Sequence, residues 1–120
     1  MARARPLLFG LVSIVCVSSM SAWSQTAGRA GEIARGHQLA LEICANCHVA
    51  ARDQPHEPIL RPPALPFESI AARSDVTAES LRKFLSATHR DPAHPHKMPD
   101  PMLVDYQIRE LAQYILSLRK

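Results

Sequence analysis

The stretch Cys44-Ala45-Asn46-Cys47-His48 constrains this chain more than any other. Two thiols three positions apart, followed at once by an imidazole, form the attachment signature of a c-type haem. Each thiol adds across one vinyl group of the porphyrin, which sets the adjacent His48 below the ring to offer a nitrogen to iron. A chain so modified has to fold around a large, planar, apolar group. Other chemistries open to a Cys-x-x-Cys pair fit less well. A redox dithiol of the thioredoxin type wants a βαβ setting that this sequence lacks. A zinc site needs a second ligand pair, which His89, His94 and His96 would supply only at unusual spacing. A plain disulfide would leave the core unfilled.

The first residues read as a secretory leader. Arg3 and Arg5 make a basic start, Leu7 to Met20 is apolar, and Ala22-Trp23-Ser24 is a small-residue cleavage site. Residues 1–24 are therefore expected to be a cleavable signal peptide, and residues 25–120 one monohaem domain. The apolar run is shorter than the roughly 20 residues that cross a bilayer, so no stable membrane insertion is expected after cleavage, with retention as an anchor the rival. Cys16 lies inside that run without the small preceding residue of a lipoprotein site. Export to the periplasm, an oxidising compartment, agrees with haem attachment outside the inner membrane. The roughly 96 residues left by cleavage make one domain whose apolar core alone is marginal, and buried porphyrin would supply the missing surface.

The charge is no signal of a nucleic-acid partner, and none is expected. The chain has 14 Lys and Arg against 11 Asp and Glu, and two of the basic residues leave with the leader, so the mature part is nearly balanced. Docking would depend on local patches, among them Lys83, Arg90 and Lys97, rather than on a global field.

Ile33, Gly36, Ala40 and Ile43 recur at helical spacing, which predicts a helix from Glu32 to Cys44 running into the motif. Gly36 is costly inside a helix and implies close approach of a partner helix. Pro55, Pro58, Pro62, Pro63 and Pro66 exclude helix or central strand from Val49 to Pro66. A short helical turn is expected at Phe67 to Ala72. Thr77 is expected to cap a helix from Ala78 to about Thr88, and Asp105 to cap a last helix with the stripe Ile108, Leu111, Ala112, Ile115 and Leu118. Nothing suggests a sheet, and the expected class is all-α, with three main helices and a short one around the haem.

One axial histidine leaves a second face of iron to fill. Met98 and Met102 are the methionines beyond the leader. Pro99 holds Met98 extended, which favours Met98 over Met102 as the distal thioether. His94 and His96 compete from the same loop, while His37 and His56 are expected to be exposed. His48 should donate its other ring N–H to a fixed acceptor. The carbonyl of Pro63 is the expected one, with Pro62 next, and Leu65 would cover the ring.

Taken together, these pieces resemble the class I c-type cytochromes. The likeness rests on a helix ending in C-A-N-C-H, P-A-L at Pro63 to Leu65, M-P at Met98-Pro99, and a last helix reading L-A-Q-Y-I-L-S-L. It is greatest with short bacterial members. The resemblance implies an all-α fold with crossed first and last helices, Gly36 near Tyr114, thioethers at Cys44 and Cys47, iron ligation by His48 and Met98, and a carbonyl bond from Pro63. It departs from the pattern at Val49 and in the His- and Pro-rich stretch from Arg90 to Lys97. The implied function is electron carriage by a monomer between a donor dehydrogenase or membrane complex and an acceptor oxidase or reductase, without enzymatic chemistry. The rivals are a haem sensor whose Met98 is displaced by ligand, and a small subunit of a dehydrogenase or oxidase.

Overall fold

The computed structural model describes residues 20–87 and 98–120. The first helix is longer than its apolar spacing predicts. Helix α1 runs Met20–Leu39, past the expected leader boundary at residue 24, and continues as a π-helical turn over Ala40–Cys44. The Ala45 N–H reaches the Ala40 carbonyl at 3.1 Å, the wider ring that defines this turn. Such turns occur mostly as single insertions beside functional sites. Here it ends directly on the first motif cysteine.

Among the described residues three further helices follow. Helix α2, Phe67–Ala71, starts after Pro66, whose extended backbone delivers the chain to it. Helix α3, Ala78–Ser86, is capped as expected by Thr77: its hydroxyl accepts from Ser80 N–H at 3.1 Å, and the Ser80 hydroxyl accepts from Thr77 N–H at 2.8 Å. Serine stands where such a box usually has Glu or Gln. The helix closes at Ser86, short of the expected Thr88, which lies outside the described residues. Helix α4 spans Asp105–Ser117. Asp105 is its first residue and not its cap. The cap position falls to Val104, whose N–H is taken by the Gln107 side chain at 3.1 Å. Asp105 still meets the positive end of the helix dipole. Among the described residues there is no strand, only an isolated parallel bridge between His48 and Ala64.

The core is the crossing of α1 and α4, onto which α2 and α3 pack. Ile108, Leu111, Ala112 and Ile115 are buried along α4, opposite Leu39 and Ala40. At the crossing Gly36 is buried, and a Cβ built on it would lie 2.1 Å from the Glu110 carbonyl oxygen and 2.8 Å from Tyr114 Cβ. The close approach expected of this glycine, beside Tyr114, is what the structure contains. Two ion pairs flank it, Arg35 to the buried Glu110 at 2.5 Å and Arg109 to Glu32 at 3.0 Å. Beyond α4, Arg119 donates to the carbonyls of Ala71 at 2.9 Å, Val76 at 2.7 Å and Arg73 at 3.4 Å. This ties the chain end to the turn between α2 and α3.

Candidate haem site

The π turn delivers the motif as a tight knot of backbone. Cys47 N–H and His48 N–H both return to the Cys44 carbonyl, at 3.1 and 2.9 Å. Cys44 is buried, Cys47 is half-buried, and both thiols are free. Burial pushes the Cys44 thiol up to about 11, and the neighbouring Cys47 adds to the rise. A redox dithiol or a zinc ligand needs the thiolate, whose formation this environment opposes. The described residues also hold no cluster of three or more potential metal ligands of the His, Cys, Asp or Glu type. The sites named for a zinc reading, His89, His94 and His96, lie outside them.

The proline loop is laid on the motif by hydrogen bonds. Ile59 N–H meets the Asn46 carbonyl at 2.8 Å, Ala64 N–H the Cys47 carbonyl at 2.8 Å, and Phe67 N–H the Val49 carbonyl at 3.0 Å. Prolines cannot donate, so the loop is pinned through the non-proline residues between them. Between the last two of these bonds the Leu65 carbonyl faces His48 and receives its Nδ1–H at 2.7 Å. This corrects the expected acceptor: the bond goes to Leu65, not to Pro63 or Pro62. The parallel run of 64–67 beside 47–49 puts Pro63 before the pairing starts. Because a carbonyl only accepts, Nδ1 must carry the proton, and Nε2 is left with the lone pair that an iron ligand needs.

These residues fit a haem. The two free thiols and the bare Nε2 are its donor set. The same loop leaves three large apolar side chains outward, Ile59 at 74% exposure, Leu65 at 58% and Leu60 at 46%. Apolar side chains clustered on a segment hydrogen-bonded to the motif are what a porphyrin seated there would remove from water. Leu65, the residue expected to cover the ring, is the one whose carbonyl His48 meets.

The two distal candidates differ sharply. Met98 is half-buried and packs against the core. Met102 is 81% exposed, with a φ of 53° in the left-handed region that non-glycine residues rarely occupy. The Asp100 carboxylate holds it there, accepting the Met102 N–H at 2.8 Å. His94 and His96 lie outside the described residues.

Behind His48 stands a group of side chains for which the sequence carried no motif. The Phe67 ring lies 5.3 Å from the His48 ring, Tyr114 lies 6.5 Å from Phe67, and His37 lies 5.1 Å from Tyr114. The Tyr114 hydroxyl donates to the Ala50 carbonyl at 2.9 Å. Burial pushes the Tyr114 phenol up, and the carboxylates of Asp53 and Glu68 add to the rise. His37, expected to be exposed, is half-buried on Tyr114 and bonds Asp53 through Nε2 at 2.8 Å. Helical spacing marks the turn from Phe67 and the resemblance puts Tyr114 near Gly36, but neither shows that Phe67 abuts His48 with Tyr114 behind it.

A helical fold closed by an α1–α4 crossing, with a Cys-x-x-Cys-His knot at the end of α1, defines a covalent haem protein. The family model for cytochrome c matches residues 33–119, and the chain belongs to that family. It is similar to a protein named cytochrome c-552 of Bradyrhizobium diazoefficiens, being 35% identical over 105 residues, which cover 88% of this chain and 92% of that one. No solved structure matches. The cofactor is covalently attached haem c, with Cys44 and Cys47 at the family's attachment spacing, and the function is haem-based electron transfer with redox partner proteins.

Proposed function

We propose that this chain is a periplasmic one-electron carrier whose haem iron is ligated by His48 and Met98. Residues 1–24 would serve as its cleaved leader, and residues 25–120 as the working domain, a monomer. The His48 Nδ1–H bond to the Leu65 carbonyl at 2.7 Å carries the reading, because it leaves Nε2 as a lone-pair donor held in one place. Met98, half-buried against the core, supports the choice of that thioether over the 81% exposed Met102. When bound, the haem supplies a reversible ferric–ferrous couple. Held by both His48 and Met98, the iron would keep no coordination site for a substrate, so the chain would carry an electron without transforming a bound molecule. A thioether opposite imidazole favours ferrous iron and raises the potential relative to two imidazoles. The location is supported by the likeness to a bacterial cytochrome c-552. Among the described residues no helix is long and apolar enough to cross a membrane.

The test is to co-express the chain with a haem-attachment system and to compare parent, Met98→Ala and Met102→Ala. Met98→Ala should lose the thioether-to-iron charge-transfer band of the ferric protein and lower the potential, while Met102→Ala keeps both. A Met98→Ala protein with the parent spectrum would refute the distal assignment.

A further inference from the structure

The hydrogen bond from His48 to Leu65 holds one ring atom. A ring fixed at Cβ and at Nδ1 can still rock about the line joining them, and that rocking turns the imidazole plane. What blocks it is Phe67. Its ring packs on His48 at 5.3 Å with the planes inclined by 52°, and its side chain is buried, so it has little freedom of its own. Phe67 is anchored twice. Its N–H bonds the Val49 carbonyl at 3.0 Å, and its ring is backed at 6.5 Å by Tyr114, whose hydroxyl bonds the Ala50 carbonyl at 2.9 Å. Both anchors thus fall on the two residues that follow His48 in the chain. The imidazole, the phenyl ring and the phenol are braced against the same short piece of backbone, and α4 supplies the outer wall.

We infer that Phe67 is a positioning residue for His48, fixing the plane of the imidazole through ring-on-ring contact, and that Tyr114 acts behind it as a buttress. The inference rests on His48 being the proximal ligand. It concerns an observable that the stability of the fold does not itself set. In low-spin ferric haem, the direction of the axial ligand planes decides which iron–porphyrin orbital carries the unpaired electron. The haem-methyl proton shifts report that direction.

The experiment uses holoprotein with attached haem, confirmed by mass. Proton NMR of the ferric form and the reduction potential are recorded for the parent, Phe67→Leu, Tyr114→Phe and Arg35→Ala. Phe67→Leu keeps an apolar side chain of similar bulk but removes the flat face, so it should change the order or spread of the four haem-methyl shifts and lower the potential. Tyr114→Phe keeps the backing ring but loses its bond to the Ala50 carbonyl, so it should move the shifts in the same sense as Phe67→Leu and by less. Arg35→Ala leaves the buried Glu110 without its partner at the helix crossing but keeps all three rings and the bonds to Val49 and Ala50, so it should lose thermal stability with the parent pattern retained. A Phe67→Leu protein with the parent shifts and potential would overturn the inference. So would an Arg35→Ala protein whose shifts move as far as those of Phe67→Leu, since the pattern would then follow stability. If the haem-methyl signals of the parent carry the larger shifts of high-spin ferric iron, the low-spin ligation by His48 fails and Phe67 has nothing to position. That outcome differs from unchanged signals in Phe67→Leu.

Discussion

Replacing Gly36 with alanine puts a methyl group in place of one hydrogen at a tight point of the helix crossing. The new Cβ would sit 2.1 Å from the Glu110 carbonyl oxygen, 2.6 Å from its carbon and 2.8 Å from Tyr114 Cβ. Ordinary contacts of these atoms lie at about 3.5 Å, and two of the three obstructing atoms are backbone, so no side-chain rotation relieves the clash. The helices have to separate by about 1 Å. A gap of that size forfeits about a quarter to a half of the dispersion energy of the contacts it opens, here among Leu39, Ala40, Ile108, Leu111 and Ala112. Overpacking of this kind costs about 1–3 kcal/mol and occasionally more, and a clash with backbone belongs at the upper end. The better helix propensity of alanine returns up to about 1 kcal/mol. The expected net loss is about 2 kcal/mol, which for a domain of this size lowers Tm by about 8–16 °C. Thermal unfolding of the ferric holoprotein, followed by far-UV circular dichroism and by Soret absorbance, measures it. A Gly36→Ala protein with the parent Tm or a higher one would show that propensity outweighs the crossing and would refute the argument.

Two further expectations concern the links that close the fold. Arg119→Ala removes donors to three carbonyls around the α2–α3 turn, two of them at 2.9 Å or less, and should destabilise by about 1–2 kcal/mol. The denaturation midpoint in urea checks this, and an unchanged midpoint counts against the clamp. The hydrogen bond from His37 holds the Asp53 carboxyl below its ordinary range. A depressed folded-state value stabilises the protein above the ordinary carboxylate value of about 3.9, and the effect is lost as pH falls through the folded-state value. Asp53→Asn should therefore be less stable than the parent at pH 5–6, with the two converging in acid. Urea midpoints across pH 2–6 measure the difference, and one that stays constant to pH 2 would contradict the linkage.

Much of the helical plan was legible because local rules govern it. Thr77 caps α3 since a hydroxyl three residues before a backbone N–H is a local arrangement, and the proline loop stays irregular because each proline restricts its own backbone. Local rules failed where a neighbour decided the outcome. Asp105 looked like a cap, but the extended backbone falls one residue earlier, at Val104, with Gln107 taking the N–H. The π turn before Cys44 has no propensity signal.

What the sequence by itself determined is the chemistry: two thiols and an imidazole at a covalent spacing, and two methionines late in the chain, are matters of composition and order. The tertiary structure decided which atoms meet. Whether Pro63 or Leu65 offers its carbonyl to His48 depends on the register of two segments 17 residues apart, and a slip of two residues would exchange the acceptor. That Phe67 lies against His48 and Tyr114 against Phe67 depends on how α4 crosses α1, a distance set by the absence of one Cβ at Gly36. Residue type limits what a side chain can do, while packing over long sequence separations determines to what it does it.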